Sequence, residues 1–85
     1  MTKQEIIDYA SNYIESTYHC TYLAEFDKTN AGYNAPFRVF AGESRETIIR
    51  RIVGSADATY IKNGWYKVYV EQVDEDTMRV YLFYG

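Results

Sequence analysis

Between Trp65 and Tyr84 apolar and polar positions alternate in two runs, WYKVYVEQV and TMRVYLFY, parted by Asp74-Glu75-Asp76. Both runs are rich in β-branched and aromatic residues, which suit a pleated surface. Side chains alternate along a strand, so Tyr66, Val68 and Val70 share one face of the first run. Met78, Val80, Leu82 and Tyr84 share one face of the second. A hairpin centred on Glu75 sets 70 opposite 80, 68 opposite 82 and 66 opposite 84. On the other face the same register sets Glu71 opposite Arg79 and Tyr69 opposite Tyr81. A slip of one residue would lose both agreements. The pattern predicts a hairpin over 65–73 and 77–84 as the centre of a sheet.

Two stretches carry helical periodicity instead. Thr2-Lys3-Gln4-Glu5 has the form of a capping box, and behind it Ile6, Ala10, Tyr13, Ile14 and Thr17 fall on one face. Gln4, Asp8, Ser11, Asn12 and Glu15 fall on the other, which predicts a helix over 3–17. Ser44 is a candidate N-cap for a second helix over 44–53, with Glu43 and Glu46 near its positive end. Its stripe is Ile48, Ile49, Ile52 and Val53; Arg50 and Arg51 point away from the stripe, and Gly54 reads as a C-terminal stop.

His19–Asp27 reads as a first strand, with Cys20, Tyr22, Ala24 and Phe26 on one face. Residues 28–32 form a turn, and Pro36–Ala41 a second strand with Phe37, Val39 and Ala41 on one face. Asn63-Gly64 is a hairpin-type turn, so Thr59–Lys62 is either a short extra strand or a loop with a helical turn. The order is helix, strand, strand, helix, strand, strand. Short connections between strands favour antiparallel neighbours. The expected architecture is two-layer α+β: two helices over one face of a four-stranded, mainly antiparallel sheet, as a single domain over 1–85.

The composition narrows the function classes. Hydrophobic residues make up 47% of the 85 positions, enough to build a core. A formal charge of −3 argues against a nonspecific grip on phosphate backbones. One cysteine, Cys20, excludes an internal disulfide and a multi-cysteine zinc site. No apolar run approaches ~20 residues and the N-terminus is amphipathic and acidic, so the expectation is a cytoplasmic protein without a membrane span. The ten tyrosines fit two uses equally, as core-margin residues with wet hydroxyls or as binding anchors.

No constellation of residues supports catalysis, and no cofactor or metal is expected. His19 and Cys20, as neighbours on a strand, point to opposite faces and do not form a nucleophile pair. Asp74, Glu75 and Asp76 lack the spaced oxygen donors of a calcium loop and read as a solvated hairpin tip. Glu25 and Asp27 read as edge charges.

The most informative surface is the second face of the hairpin: Trp65, Lys67, Tyr69, Glu71, Arg79, Tyr81 and Phe83. If the helices cover only the first face, these rings form an exposed row that asks for an explanation. Three accounts compete: a cover formed by residues 55–64, the chain ends or a curl of the sheet; a protein or homodimer interface with Trp, Tyr and Arg as anchors; or a base-stacking platform for single-stranded nucleic acid.

An amphipathic helix followed by Lys62-Asn63-Gly64-Trp65 and an acidic C-terminal part resembles small phage-encoded anti-CRISPR inhibitors of Cas9. The shared residues are those four. The resemblance implies a non-catalytic, cytosolic inhibitor that blocks a larger machine, such as a CRISPR effector, by occupying its surface. The chain departs from those inhibitors in charge. They imitate DNA phosphates with many carboxylates, whereas here Arg45, Arg50, Arg51 and Arg79 dilute the acidity. The expectation is therefore steric occupation of a protein partner. Trp65, Tyr69, Arg79, Tyr81 and Phe83 would be anchors, Lys67 and Glu71 would set orientation, and Asp74, Glu75 and Asp76 would meet a basic patch.

Overall fold

The computed structural model describes residues 1–85 and shows an α+β fold with two helices on one face of a mixed five-stranded sheet. Helix α1 spans Lys3–Tyr18 and begins with the expected capping box. The Thr2 hydroxyl accepts from the Glu5 amide, and the Glu5 carboxylate accepts from the Thr2 amide. The helix ends at His19, a left-handed residue with φ 56° whose N–H returns to the Glu15 carbonyl. His19 is thus a helix cap rather than a strand end.

Strand β1 is only Thr21–Tyr22. The long first strand expected over 19–27 does not form, for two reasons. The cap at His19 redirects the chain so that β1 lies parallel to the start of the hairpin, with Thr21 N–H on Gly64 O and Leu23 N–H on Tyr66 O. Beyond Leu23, polar side chains capture the backbone. Asp27 Oδ1 accepts from the Thr29 amide and hydroxyl, Asn30 Oδ1 accepts from the Asp27 amide, and Asn30 Nδ2 donates to Glu25 O. Such local bonds compete directly with a sheet ladder.

Strands β2 (Gly32–Tyr33) and β3 (Phe37–Phe40) both pair antiparallel with the last strand, β2 near its end and β3 near its start. Helix α2 spans Arg45–Thr59 with Ser44 as its N-cap. It runs through Gly54, because the apolar stripe continues as Ile48, Ile52 and Ala56, all buried. The short strand considered for 59–62 is therefore absent. Asn63 does take the turn conformation, with φ 64°. Strands β4 (Trp65–Asp74) and β5 (Thr77–Tyr84) form the hairpin in the expected register, including 66↔84, 68↔82, 70↔80, 69↔81 and 71↔79. The sheet order is β1-β4-β5-β2, with β3 also on β5, so the sheet has five strands rather than the expected four, and one of its pairings is parallel while the others are antiparallel.

The core lies between this hairpin and the helices. Val68, Val70, Val80 and Leu82 are buried with Ile6, Ile14, Ile48 and Ile52. Tyr84 lies on the same face, opposite Tyr66, but at the end of the sheet, where it is exposed and lays its ring over Gly32. Many tyrosines serve the core margin. Tyr66 is buried with its hydroxyl donating to Glu15, and Tyr60 is buried with its hydroxyl on Phe83 O at 2.7 Å. Tyr13 and Tyr18 on α1 both donate to Asp57 Oδ1 on α2, at 2.7 and 2.6 Å, which ties the two helices at one end.

Arg51 does not point into open solvent. It donates to Arg38 O at 2.6 Å and to both carboxylate oxygens of Glu43. The guanidinium, with help from the Phe40 amide, lowers the Glu43 carboxyl to about 2. This ion pair clamps β3 to α2.

One prediction arises here. Gly54 is exposed inside α2, and a Cβ placed on it meets nothing within 4 Å. Glycine in a helix costs conformational entropy relative to alanine. Gly54→Ala should stabilise the chain by about 0.5–1 kcal/mol, seen as a higher urea midpoint at unchanged slope.

Candidate functional site

The hairpin's second face is built from cross-strand pairs: Lys67 opposite Phe83, Tyr69 opposite Tyr81, and Glu71 opposite Arg79. Trp65 stands at its start, where its backbone pairs with Gly85. Strand β2 adds Tyr33, whose ring meets Tyr81 and Phe83 edge-on at 5.5 and 5.6 Å. Tyr81 and Phe83 lie nearly parallel at 5.9 Å, and Tyr69 lies nearly parallel to Phe83 at 6.4 Å. The result is a connected bed of four rings.

Part of this bed is covered. The cover comes from residues 23–31, not from 55–64, the chain ends or a curl of the sheet. Released from the ladder by its own polar turn, this segment crosses over the second face. Phe26 rests against Gly85, so closely that a Cβ there would come within 2.7 Å of the ring. Lys28 places its ammonium 4.5 Å from the centre of the Tyr81 ring and 3.4 Å from Glu71. Tyr81 first, and then Glu71, hold that ammonium above its ordinary range. Lys67 donates to Ala24 O at 2.8 Å, which fastens the start of the segment.

The structure therefore divides the candidate residues. Tyr81 and Phe83 are buried at 6% and 1% exposure, while Tyr69 and Trp65 remain 41% and 46% exposed. Glu71 holds Arg79 at 3.4 Å, as the register implies, and shares itself with Lys28. Asp74, Glu75 and Asp76 form the exposed hairpin tip, braced by Asp76 N–H on Asp74 Oδ1. Trp65 and Asp74 are the two ends of β4. At ~3.4 Å per residue they stand about 30 Å apart, so the acids are not part of the aromatic bed.

Between residues 26–29 and the hairpin lies a groove of about 310 Å³, lined by Phe26–Thr29, Lys67, Tyr69 and Phe83. Tyr69 and Phe83 floor it, Phe26 walls it, and Lys28 and Lys67 stand at its sides. Phe26, Lys28 and Tyr33 were not among the residues expected at the site. The signal that points to them is Asp27-Lys28-Thr29-Asn30, a side-chain-to-backbone turn pattern that ends a strand.

His19 is exposed on its cap while Cys20 is buried, its thiol pushed up by burial and aimed at Ile61 O at 3.2 Å. Asp27 is held below its ordinary range by Thr29 and is occupied in its turn. No group of three or more His, Cys, Asp or Glu side chains is gathered where it could hold a metal ion. No helix is long and apolar enough to cross a membrane. No family model, curated protein or solved structure matches the chain, so the meaning of this face rests on its own geometry.

Proposed function

We propose that the chain is a small non-catalytic binding protein that blocks a protein partner by occupying its surface through the exposed part of the aromatic face. The observation that supports this most is Tyr69, 41% exposed on a bed of packed rings beside a groove. A ring already fixed by a strand and by its neighbours loses little freedom on docking, and it buries much apolar area. Trp65 is the second exposed ring of the same strand. The Lys62–Trp65 resemblance gives the partner class to test first, a CRISPR effector, and with it a phage or mobile-element origin.

Trp65→Ala/Tyr69→Ala should leave the chain folded and weaken partner binding by about 2 kcal/mol or more, the scale of interface hot spots. The measurement is calorimetric titration of a CRISPR effector, or of a partner captured from the native host and purified, against both forms of the chain. Undiminished affinity would remove the exposed rings from the mechanism.

The groove also favours a second reading, single-stranded nucleic-acid binding, because rings floor it and Lys28 and Lys67 flank it. Charge weighs against it: the chain carries −3, and Lys28 and Arg79 already face Glu71. Labelled oligonucleotides titrated at low salt discriminate. Tight binding that falls steeply with added salt and with Lys67→Ala would put this reading first.

A further inference from the structure

The free edge of β4 carries a feature that the aromatic face does not use. Trp65 and Gly85 exchange two backbone bonds, so odd-numbered residues of β4 turn their N–H and C=O groups toward β5. Even-numbered residues turn theirs outward, and Tyr66 O accordingly accepts from Leu23. Pairing on that edge stops there, since β1 reaches only Tyr66. The outward N–H and C=O groups of Val68 and Val70 have no partner in the chain. Their side chains face the core, so the residues as a whole are only 5% and 3% exposed. Unpaired N–H and C=O groups along a strand edge are a template for a further strand, and Val68 and Val70 present them one after the other on the outer side of β4.

Helix α1 explains how an edge strand can be so little exposed. Its Tyr13 and Glu5 reach α2, at Asp57 and Arg45. Its Ile6, Ala10 and Ile14 face the core. Ile7, Ser11 and Glu15 are left for the opposite flank, and Glu15 on that flank reaches Tyr66 of β4. Ile7 and Ser11 are half-buried. The helix thus overhangs the edge. The slot beneath it begins past Leu23 and ends at the ladder irregularity between Gln72 and Asp74.

We propose that this slot accepts an extended segment of the partner protein as an added strand beside Val68–Gln72. The proposal rests on the protein-partner reading above and names the form of the partner's contact. Only a polypeptide backbone presents alternating donors and acceptors at strand spacing, so the unpaired groups themselves specify the ligand class. Side chains of the segment on the helix side meet Ile7, Ser11, Val68 and Val70, which asks for apolar residues. Those on the other side stand beside Tyr69. A second copy of this chain does not fit. Strands pair ~4.8 Å apart, whereas packed helices need ~8–10 Å, so two overhanging α1 helices would collide above a shared β4–β4 pair.

The test uses the full chain and short linear peptides selected on it from a random display library. In the free chain the Val68 and Val70 amides should exchange with deuterium faster than those of Lys67, Tyr69 and Glu71, which β5 holds. Saturation with a selected peptide should slow Val68 and Val70 exchange at least ~10-fold. A chain assembled by ligation with N-methyl-Val70 keeps its core side chain and its β5 ladder, and should bind the peptide at least ~10-fold more weakly. Equal protection of odd and even amides in the free chain would overturn the proposal. So would a library yielding no binder, or a bound peptide that leaves these amides unchanged. Partner binding lost with Tyr69→Ala but kept with N-methyl-Val70 would discard the strand slot while leaving the aromatic reading in place; the reverse would discard the aromatic face and keep the slot.

Discussion

Phe83→Ala should cost about 3–5 kcal/mol of folding stability, the usual loss for a truncated core phenylalanine, while Tyr69→Ala one pair away should cost less than about 1 kcal/mol. The two residues share a sheet face and lie nearly parallel, so sequence alone treats them alike. The structure separates them: Phe83 is 1% exposed beneath residues 23–31, against 41% for Tyr69. Removing Phe83 also takes the partner ring from Tyr33, Tyr69 and Tyr81, and opens the floor of the groove. A domain of this size is stable by roughly 5–15 kcal/mol, so the loss would consume much of the total. Urea melts of the two variants decide the matter. Equal, small losses would mean that residues 23–31 do not seal the face in solution.

The buried pair has a consequence for binding. Tyr81 and Phe83 are almost wholly buried. They hold Tyr69 and Tyr33 in place, as a support beneath the exposed rings. A variant that removes both Tyr69 and Tyr81 would confuse lost contact with lost support. Trp65 and Tyr69, both about half exposed, separate the two effects better.

Much of the fold was legible because several local rules agreed. In the hairpin, alternation, the Glu71–Arg79 pairing and the acidic tip all demanded one register, and that register forms. At α1 the capping box and the stripe agreed on the start and the face. Structure and pattern part where two local signals compete. Gly54 reads as a stop, yet Ala56 continues the buried stripe, and burying that face outweighs the cost of one glycine. Residues 19–27 alternate like a strand, but the hydrogen bonds of Asp27 and Asn30 end any ladder there. The same polar turn produces both the cover on the aromatic face and the short, parallel β1, neither of which alternation signals. The open edge at Val68 and Val70 depends on how far β1 runs, which no periodicity in β4 itself can reveal.

Leu82→Ala should destabilise the chain by about 2–5 kcal/mol, and its place in the structure argues for the upper half of that range. Leu82 sits opposite Val68 in the hairpin and belongs to the cluster with Ile48, Ile52 and Ala56 of α2. It is 5% exposed, and with Val80 it lines a groove of about 260 Å³ that also touches Asn34, Phe37 and Gly54. Space beside a side chain usually lets a site relax when that side chain is shortened. Here the neighbours cannot close in easily. Arg51 and Glu43 clamp β3 to α2 on one side, and Asn34 Nδ2 bonds to Ala58 O and Thr59 Oγ1 on the other. The vacated volume would therefore merge with the groove and admit water against Val68 and Ile52. Urea melts of Leu82→Ala, alone and combined with Asn34→Ala, test this directly. If the asparagine tether prevents collapse, the double variant should lose less than the sum of the two single losses. Strict additivity would show that the site relaxes without its help. A loss below about 0.5 kcal/mol for Leu82→Ala would place that side chain outside the core.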